Sequence, residues 1–239
     1  MIKAVFFDLY GTLARFFPLR EEVQAKACES FGLAVTREGL VRGYLLADQW
    51  MSQVNAGIVP VPQLGEEDRT QFFTEYERLV LQGAGLEADS ETARRVWAKV
   101  RETPYDLALF DDALPVLDVL KRRELTLGLL SNIGRDIKAL GEELGLAPYL
   151  DFMITSQEAG SSKPHPPIFL MALERAGVEP AEALHVGDSH LSDVQGARDV
   201  GINPLLLDRE GVMGDFDDCP RIENLVGVLD YIRVDPPEE

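Results

Sequence analysis

The chain has 239 residues, a length that suits one large domain or a domain with an insertion. Asp and Glu outnumber Lys and Arg 41 to 23, and the net charge of −18 disfavours nucleic acids and anionic membranes as partners. A small anionic substrate is still compatible with this net charge, because a locally positive pocket can oppose the negative field of the whole protein. No apolar run suits a signal peptide or a membrane span, so we expect a cytoplasmic protein. The oligomeric state, a homodimer included, is left open.

An apolar run at the start of the chain is followed by a long helical stretch. Residues 2–8, IKAVFFD, are typical of a buried strand. From Pro18 to about Arg101 nothing in the sequence indicates a strand. Four helices are predicted there, opened by Pro, Thr, Gly-Glu-Glu or Ser: PLREEVQAKACESFGL, TREGLVRGYLLADQWMSQV, GEEDRTQFFTEYERLVLQ and SETARRVWAKVRE. We interpret this stretch as an all-helical insert.

After Asp111 helices and strands alternate. The predicted strands are LTLGLLS, FMIT, ALHVGD and PLLLD, with helices before, between and after them. The final helix is predicted from four apolar residues: Ile222, Leu225, Leu229 and Ile232. This alternation predicts an α/β fold with a doubly wound parallel sheet that helices cover on both faces. The predicted core domain comprises residues 1–15 and 102–239, and the inserted helical domain comprises residues 16–101.

Polar residues lie just past the carboxyl ends of four predicted strands. In chain order they are Asp8 and Thr12, then Ser131 and Asn132, then Lys163, then Asp188 and Asp193. Ligand sites in open parallel sheets form at this edge. One strand-ending Asp is commonly a helix cap or turn residue, but compatible groups at several strand ends favour a functional site. His185, within the strand before Asp188, is expected to be a packed core residue.

Four motifs in this order resemble those of the haloacid dehalogenase superfamily: FFDLYGTL, LLSN, SSKP and HVGDSHLSD. The resemblance covers nearly the whole chain and implies a Rossmann-like core with a mobile helical cap inserted after the first motif. It implies that Asp8 is the nucleophile that forms a covalent aspartyl intermediate. Lys163 would neutralise charge around it, and Thr12, Ser131 and Asn132 would donate hydrogen bonds to the oxygens of the substrate.

The resemblance also implies a magnesium site made of oxygen ligands. Asp8, the backbone carbonyl of Tyr10 and Asp188 would hold the Mg²⁺ ion, and Asp193 would bind directly or through water. The residues favour a cation independently, because Lys163 alone does not balance three carboxylates.

Tyr10 and the fourth motif point to different members of the superfamily. Its phosphatases usually carry a second Asp two residues after the nucleophile, as general acid and base, and a phenol with a pKa of about 10 is a poor substitute. The 2-haloacid dehalogenases resemble DLYGTL, tyrosine included, because a halide leaves without a proton. They work without metal, however, and have a neutral residue at the position that matches Asp188.

We give the carboxylates more weight than the tyrosine. The expected function is a magnesium-dependent phosphatase that acts on a small phosphorylated metabolite through an aspartyl-phosphate intermediate. The alternatives are a metal-free 2-haloacid dehalogenase that forms an aspartyl ester, and a non-catalytic phosphate-binding or interaction protein. The identity of the substrate stays open, because the cap would select it.

Overall fold

The structure is a computed structural model that describes residues 1–57, 59–214 and 217–232. The chain divides into two compact units. We call Met1–Arg15 with Ala108–Glu239 the core unit, and Phe16–Leu107 the helical unit. That the helical unit acts as a cap stays a prediction.

The core unit is built on a parallel sheet. In the described part of the chain the strands are β1 (Ala4–Phe7), β2 (Ala14–Phe17), β3 (Asp106–Leu109), β4 (Thr126–Ser131), β5 (Phe152–Thr155), β6 (Ala183–Gly187), β7 (Asn203–Leu207) and β8 (Arg221–Ile222). Six of these described strands form one sheet in the order β5-β4-β1-β6-β7-β8, with parallel pairings. The sheet grows outward from β1 in both directions, which confirms the predicted doubly wound α/β fold. β2 and β3, where the chain passes between the units, pair separately.

The register of the central strands brings their carboxyl ends to one edge. Phe7 of β1 pairs with Leu129 of β4 on one side and with Val186 of β6 on the other. All four residues of β1 are fully buried, as expected for a strand covered on both faces of a parallel sheet. The residues that follow β1, β4 and β6 therefore lie near one another.

Helices flank the sheet of the core unit and make up most of the helical unit. Among the described residues the α-helices are α1 (Arg20–Glu29), α2 (Arg37–Asn55), α3 (Glu66–Gly83), α4 (Ser90–Val100), α5 (Ala113–Arg122), α6 (Ile137–Glu143), α7 (Ser156–Ala159), α8 (Pro166–Ala176) and α9 (Gly196–Asp199). A π-helical segment, His190–Gln195, precedes α9. No helix in the part of the chain seen here combines the length and the apolar character needed to cross a bilayer.

The caps of the helical unit follow the start signals in the sequence. The side chain of Thr36 accepts a hydrogen bond from the Gly39 amide at 3.0 Å, and that of Asp89 accepts one from the Thr92 amide at 2.8 Å. Each cap satisfies one of the free amides in the first turn of its helix. The apolar interior of this unit has two parts, one between α2 and α3 and one among α1, α3 and α4. The first contains Leu40, Tyr44, Ala47, Phe72, Tyr76 and Val80, and the second contains Ala27, Cys28, Leu81, Ala93 and Val96.

The predicted final helix is wrong in type. Ile222 belongs to β8, where it pairs in parallel with Leu207, and Leu225–Tyr231 is a 3₁₀ helix rather than an α-helix. The apolar spacing fits an α-helix, but a two-residue strand is too short to leave a periodic signal. For Ile222, pairing with β7 outweighs the helical spacing of the apolar residues.

Candidate active site

Three acidic residues meet at the carboxyl edge of the sheet. Asp8 directly follows β1, and Asp188 and Asp193 follow β6. One carboxylate oxygen of each lies within 4.8 Å of the others. Asp8 and Asp193 are buried, and Asp188 is half-buried. The predicted acidic residues are therefore brought together, in a geometry that could hold one metal ion.

Lys163 lies between two of these carboxylates. Its Nζ atom is 2.5 Å from Asp8 Oδ1 and 2.6 Å from Asp193 Oδ1, and its side chain is 2% exposed. Burial alone would lower the pKa of Lys163, but the charges of Asp193 and Asp8 outweigh it and raise the pKa above its usual range. The ammonium group is therefore charged, and it contacts two of the three clustered carboxylates.

Asp8 and Asp193 respond to this surrounding in opposite ways. Burial raises the pKa of Asp8 to about 6; Lys163 partly offsets the rise and Asp193 adds to it. Burial would also raise the pKa of Asp193, but Lys163 and His185 outweigh it and hold that pKa well below its usual range. Asp193 therefore stays ionised, and Asp8, with a pKa of about 6, is largely ionised at pH 7 but takes up a proton more readily than an ordinary Asp.

Asn132 holds the backbone of Lys163. Its Oδ1 atom accepts a hydrogen bond from the Lys163 amide at 2.7 Å, and its Nδ2 atom donates to the Lys163 carbonyl at 3.0 Å. Both ends of the side-chain amide are thus engaged, and Asn132 positions the lysine. The predicted contact between Asn132 and the substrate would have to use the second hydrogen of Nδ2.

Two buried hydroxyl groups at the site have no partner among the described residues. They are Thr12 Oγ1, in the turn after β1, and Ser131 Oγ, at the end of β4. The two residues are no more than 1% exposed. A buried hydroxyl without a hydrogen bond is costly, and a ligand that accepts one removes the cost. These two groups therefore fit the predicted contacts with substrate oxygens.

Two glycines allow the acidic side chains to approach the backbone. Gly11 has φ of 75°, and a Cβ atom there would overlap the carboxylate of Asp188. A Cβ atom on Gly187 would overlap the carboxyl group of Asp193. The turn that begins at Asp8 and contains Tyr10 therefore needs glycine for its conformation and for the space that Asp188 occupies.

His185 contributes to the site, although the sequence suggested only a packed core residue. Its Nε2 atom lies 2.9 Å from Asp193 Oδ1, and Asp193 Oδ2 accepts a hydrogen bond from the Ser189 amide at 3.0 Å. Burial lowers the pKa of His185, so the ring is neutral and Nε2–H donates to the carboxylate. A polar residue in a fully buried strand needs a partner, and that need could have predicted this contact.

Comparisons with known proteins agree with this fold. A family model described as haloacid dehalogenase-like hydrolase matches residues 2–201. The human protein named haloacid dehalogenase-like hydrolase domain-containing protein 3 is 32% identical over 213 residues, which cover 86% of this chain and 82% of the human protein. The mouse protein of that name is 41% identical over 105 residues, and this match spans less than half of either protein, 44% of this chain and 42% of the mouse chain.

Other similar proteins carry more specific names. The glyceraldehyde 3-phosphate phosphatase of Methanopyrus kandleri is 28% identical over 243 residues, which cover 98% of each protein. The solved structure of a 2-haloacid dehalogenase from Pseudomonas syringae is 26% identical, with a TM-score of 0.55 over 96% of this chain and 97% of that one.

Proposed function

We propose that this chain, which belongs to the haloacid dehalogenase-like hydrolases, is a magnesium-dependent phosphatase acting on a small phosphorylated metabolite in the cytoplasm. The observation that carries the proposal is the cluster of Asp8, Asp188 and Asp193, two of which contact Lys163. The positive charge of Lys163 alone does not balance three carboxylates in a largely buried site. The similarity to the Methanopyrus phosphatase supports a phosphorylated substrate.

The chemistry of the donors fits Mg²⁺. Carboxylate and carbonyl oxygens are its preferred protein ligands, and Asp8, Asp188 and the backbone carbonyl of Tyr10 would hold it. Asp193 has both oxygens bonded within the protein, so it would support the site through Lys163 or through water. When bound, the ion would neutralise charge on the phosphoryl group and lower the pKa of Asp8.

The side chains of the site have separate roles in the proposed reaction. The Asp8 carboxylate attacks phosphorus, and the bond from phosphorus to the ester oxygen breaks as the aspartyl phosphate forms. Lys163 balances the charge of Asp8 and of the phosphoryl oxygens, while the hydroxyls of Thr12 and Ser131 donate hydrogen bonds to those oxygens. The leaving alkoxide takes a proton from water, because Tyr10 stands where a second Asp would act. Water then cleaves the aspartyl phosphate and restores Asp8 with release of inorganic phosphate.

A metal-free 2-haloacid dehalogenase is the second candidate, and Tyr10 is the residue that favours it. In that reaction Asp8 attacks carbon and expels a halide, which needs no proton. The similarity to the Pseudomonas dehalogenase is compatible with this chemistry. Asp188 argues against it, because a second carboxylate without a cation repels the nucleophile and raises its pKa.

Release of p-nitrophenol from p-nitrophenyl phosphate tests the proposal, with Mg²⁺ and again with a chelator. p-Nitrophenolate departs without a proton donor, so the lack of a general acid at Tyr10 does not slow this reaction. We expect turnover that needs Mg²⁺ and is absent from Asp8→Asn. A wild-type rate no higher than that of Asp8→Asn contradicts the proposal. Chloride release from 2-chloropropionate without metal would then identify a dehalogenase, and its absence a protein that only binds.

A further inference from the structure

Arg209 links the end of the sheet to the turn that follows the nucleophile. Its Nη2 atom donates a hydrogen bond to the backbone carbonyl of Thr12 at 2.9 Å. The same guanidinium makes a two-point ion pair with Asp112, with Nη1 3.0 Å from Oδ2 and Nη2 2.9 Å from Oδ1. We propose that Arg209 is a positioning residue of the active site, which fixes Thr12 so that its hydroxyl faces the substrate oxygens.

The surroundings of Arg209 hold it in one orientation. Its Cζ atom lies 3.8 Å from the centre of the Phe110 ring. The Phe110 amide donates to the Leu13 carbonyl at 3.0 Å, directly after Thr12 in the chain. Asp112 Oδ2 also accepts a hydrogen bond from the Leu225 amide at 2.8 Å, which fixes the carboxylate. A planar guanidinium can bind a carboxylate and a carbonyl at once, and a lysine ammonium cannot reproduce that geometry.

Thr12 depends on this support because its own turn holds it weakly. The Leu9 carbonyl accepts from the Thr12 amide at 3.4 Å, a long hydrogen bond, although it accepts from the Ala14 amide at 2.8 Å. The Thr12 hydroxyl is buried and has no partner in the described structure. A displacement of about 1 Å in such a group can cost about 100-fold in rate. Arg209 would therefore act on the hydroxyl indirectly, by holding the Thr12 backbone through its carbonyl oxygen.

Arg221 provides a matched control. It pairs with Asp208, with Nη1 3.4 Å from Oδ2, and its Nη1 atom donates to the Gly214 carbonyl at 2.8 Å. It therefore has an acidic partner and a carbonyl partner, as Arg209 has, but those partners lie outside the turn that contains Thr12. Arg209→Lys and Arg221→Lys make the same chemical change, and each keeps a positive charge beside its acidic partner.

The inference rests on the proposed function, and kinetics of the Mg²⁺-loaded protein on p-nitrophenyl phosphate test it. We expect Arg209→Lys to lower kcat/KM about tenfold, and Arg221→Lys to change it less than about twofold. Thr12→Val should also lower kcat/KM about tenfold. The double variant should be no worse than about tenfold, because both changes remove one interaction. A double variant about 100-fold slower overturns the inference, as does a similar loss in Arg209→Lys and Arg221→Lys.

Amide hydrogen exchange separates failure of this inference from failure of the proposed function. We expect the peptide that contains residues 9–14 to exchange faster in Arg209→Lys than in the wild type or in Arg221→Lys, whether or not the protein turns over substrate. Unchanged exchange in this peptide overturns the positioning role. A wild type without Mg²⁺-dependent turnover contradicts the proposed function instead, and exchange then decides the inference alone.

Discussion

Both units bury polar side chains, but the two sets of contacts differ in completeness. In the helical unit, Arg20 Nη1 lies 2.8 Å from Asp48 Oδ2, and the Tyr76 hydroxyl donates to Asp48 Oδ1 at 2.5 Å. The Arg20 guanidinium lies 4.2 Å from the centre of the Tyr44 ring. Arg20 Nε also lies 3.3 Å from Glu21 Oε1, so this cation contacts two carboxylates. The charged groups of this network are therefore held by one another and by neighbouring hydroxyl and aromatic groups.

The same network continues through neutral groups. The Tyr44 hydroxyl donates to Gln24 Oε1 at 3.0 Å, and Gln24 Nε2 donates to Glu77 Oε1 at 2.5 Å. Burial raises the pKa of Glu77 to about 7, so this carboxyl group is partly neutral at physiological pH. Within the described residues, no fully buried side-chain nitrogen or oxygen atom of the helical unit lacks a hydrogen-bond partner.

The core unit shows the opposite arrangement. The buried side-chain atoms without a partner, among the residues described, belong to Thr12, Ser131, His185 and Arg209. Three carboxylates also cluster at the sheet edge, and Lys163 contacts two of them. In a structural network the buried polar groups form hydrogen bonds with one another, whereas in a ligand site some of them stay unpaired until the ligand binds. The unpartnered hydroxyls of Thr12 and Ser131 therefore support the proposal that the sheet edge, rather than the helical unit, is the ligand site.

The largest contrast should appear between Asp8→Asn and Asp48→Asn, the same change in the two clusters. Asp8→Asn should lower kcat by about 10⁴-fold or more, because an amide is not a nucleophile. The midpoint of thermal unfolding should not fall, since a desolvated carboxylate is removed and Lys163 keeps Asp193. Asp48→Asn should instead lower the free energy of unfolding by about 1 kcal/mol. Denaturation curves and p-nitrophenyl phosphate kinetics check both, and an active Asp8→Asn protein contradicts the assignment.

Tyr10→Asp tests whether the lack of a general acid limits the rate. An added carboxyl group two residues after the nucleophile can protonate an alkoxide, and such catalysis is worth about 100-fold. We expect faster hydrolysis of alkyl phosphates and little change with p-nitrophenyl phosphate, whose leaving group needs no proton. Rates on the two substrates are compared in the same preparation. An unchanged alkyl phosphate rate in a correctly folded variant would mean that proton supply does not limit this site.

Glu77→Gln should change stability as a function of pH. The folded pKa of Glu77, about 7, lies above the unfolded value of 4.5, so stability from this group is full below pH 4.5 and is lost as the pH rises through about 7. A glutamine accepts the same hydrogen bond from Gln24 without a charge. We expect the variant to be more stable than the wild type at pH 8 by about 2 kcal/mol.

Unfolding by urea at pH 5 and pH 8 measures this difference. The gain in Glu77→Gln should shrink or vanish at pH 5, where the wild-type carboxyl group is protonated in the folded state. Glu75→Gln is the control, because Glu75 lies on the same helix but is half-buried rather than buried, and it pairs with Arg78. Equal effects of the two substitutions at both pH values would mean that Glu77 is not the group responsible.

The positions of the candidate site residues followed from the sequence because strand ends in a parallel sheet share one edge. Asp8, Ser131 and Asp188 each come directly after, or at the end of, an apolar run that could be recognised locally. The α/β architecture followed from the same alternation. These features depend on residues close in the chain or on a general rule of sheet topology.

Other contacts could not be predicted, because they depend on distant residues. Arg209 and Thr12 are 197 positions apart, and no local pattern relates them. The bonds between Asn132 and the Lys163 backbone depend on the conformation of a loop 31 residues away. β8 has only two residues, and its pairing with β7 replaced the predicted α-helix. Register and loop conformation, rather than periodicity, decide these features.

A Mg²⁺ titration of p-nitrophenyl phosphate hydrolysis by the wild type and by Asp188→Ala tests the central claim most directly. The account predicts a wild-type rate that rises from the level of Asp8→Asn to saturation with Mg²⁺, and no such rise in Asp188→Ala at any Mg²⁺ concentration. Circular dichroism should show that the variant is folded. An Asp188→Ala protein that retains full activity would contradict a metal-dependent mechanism at this cluster.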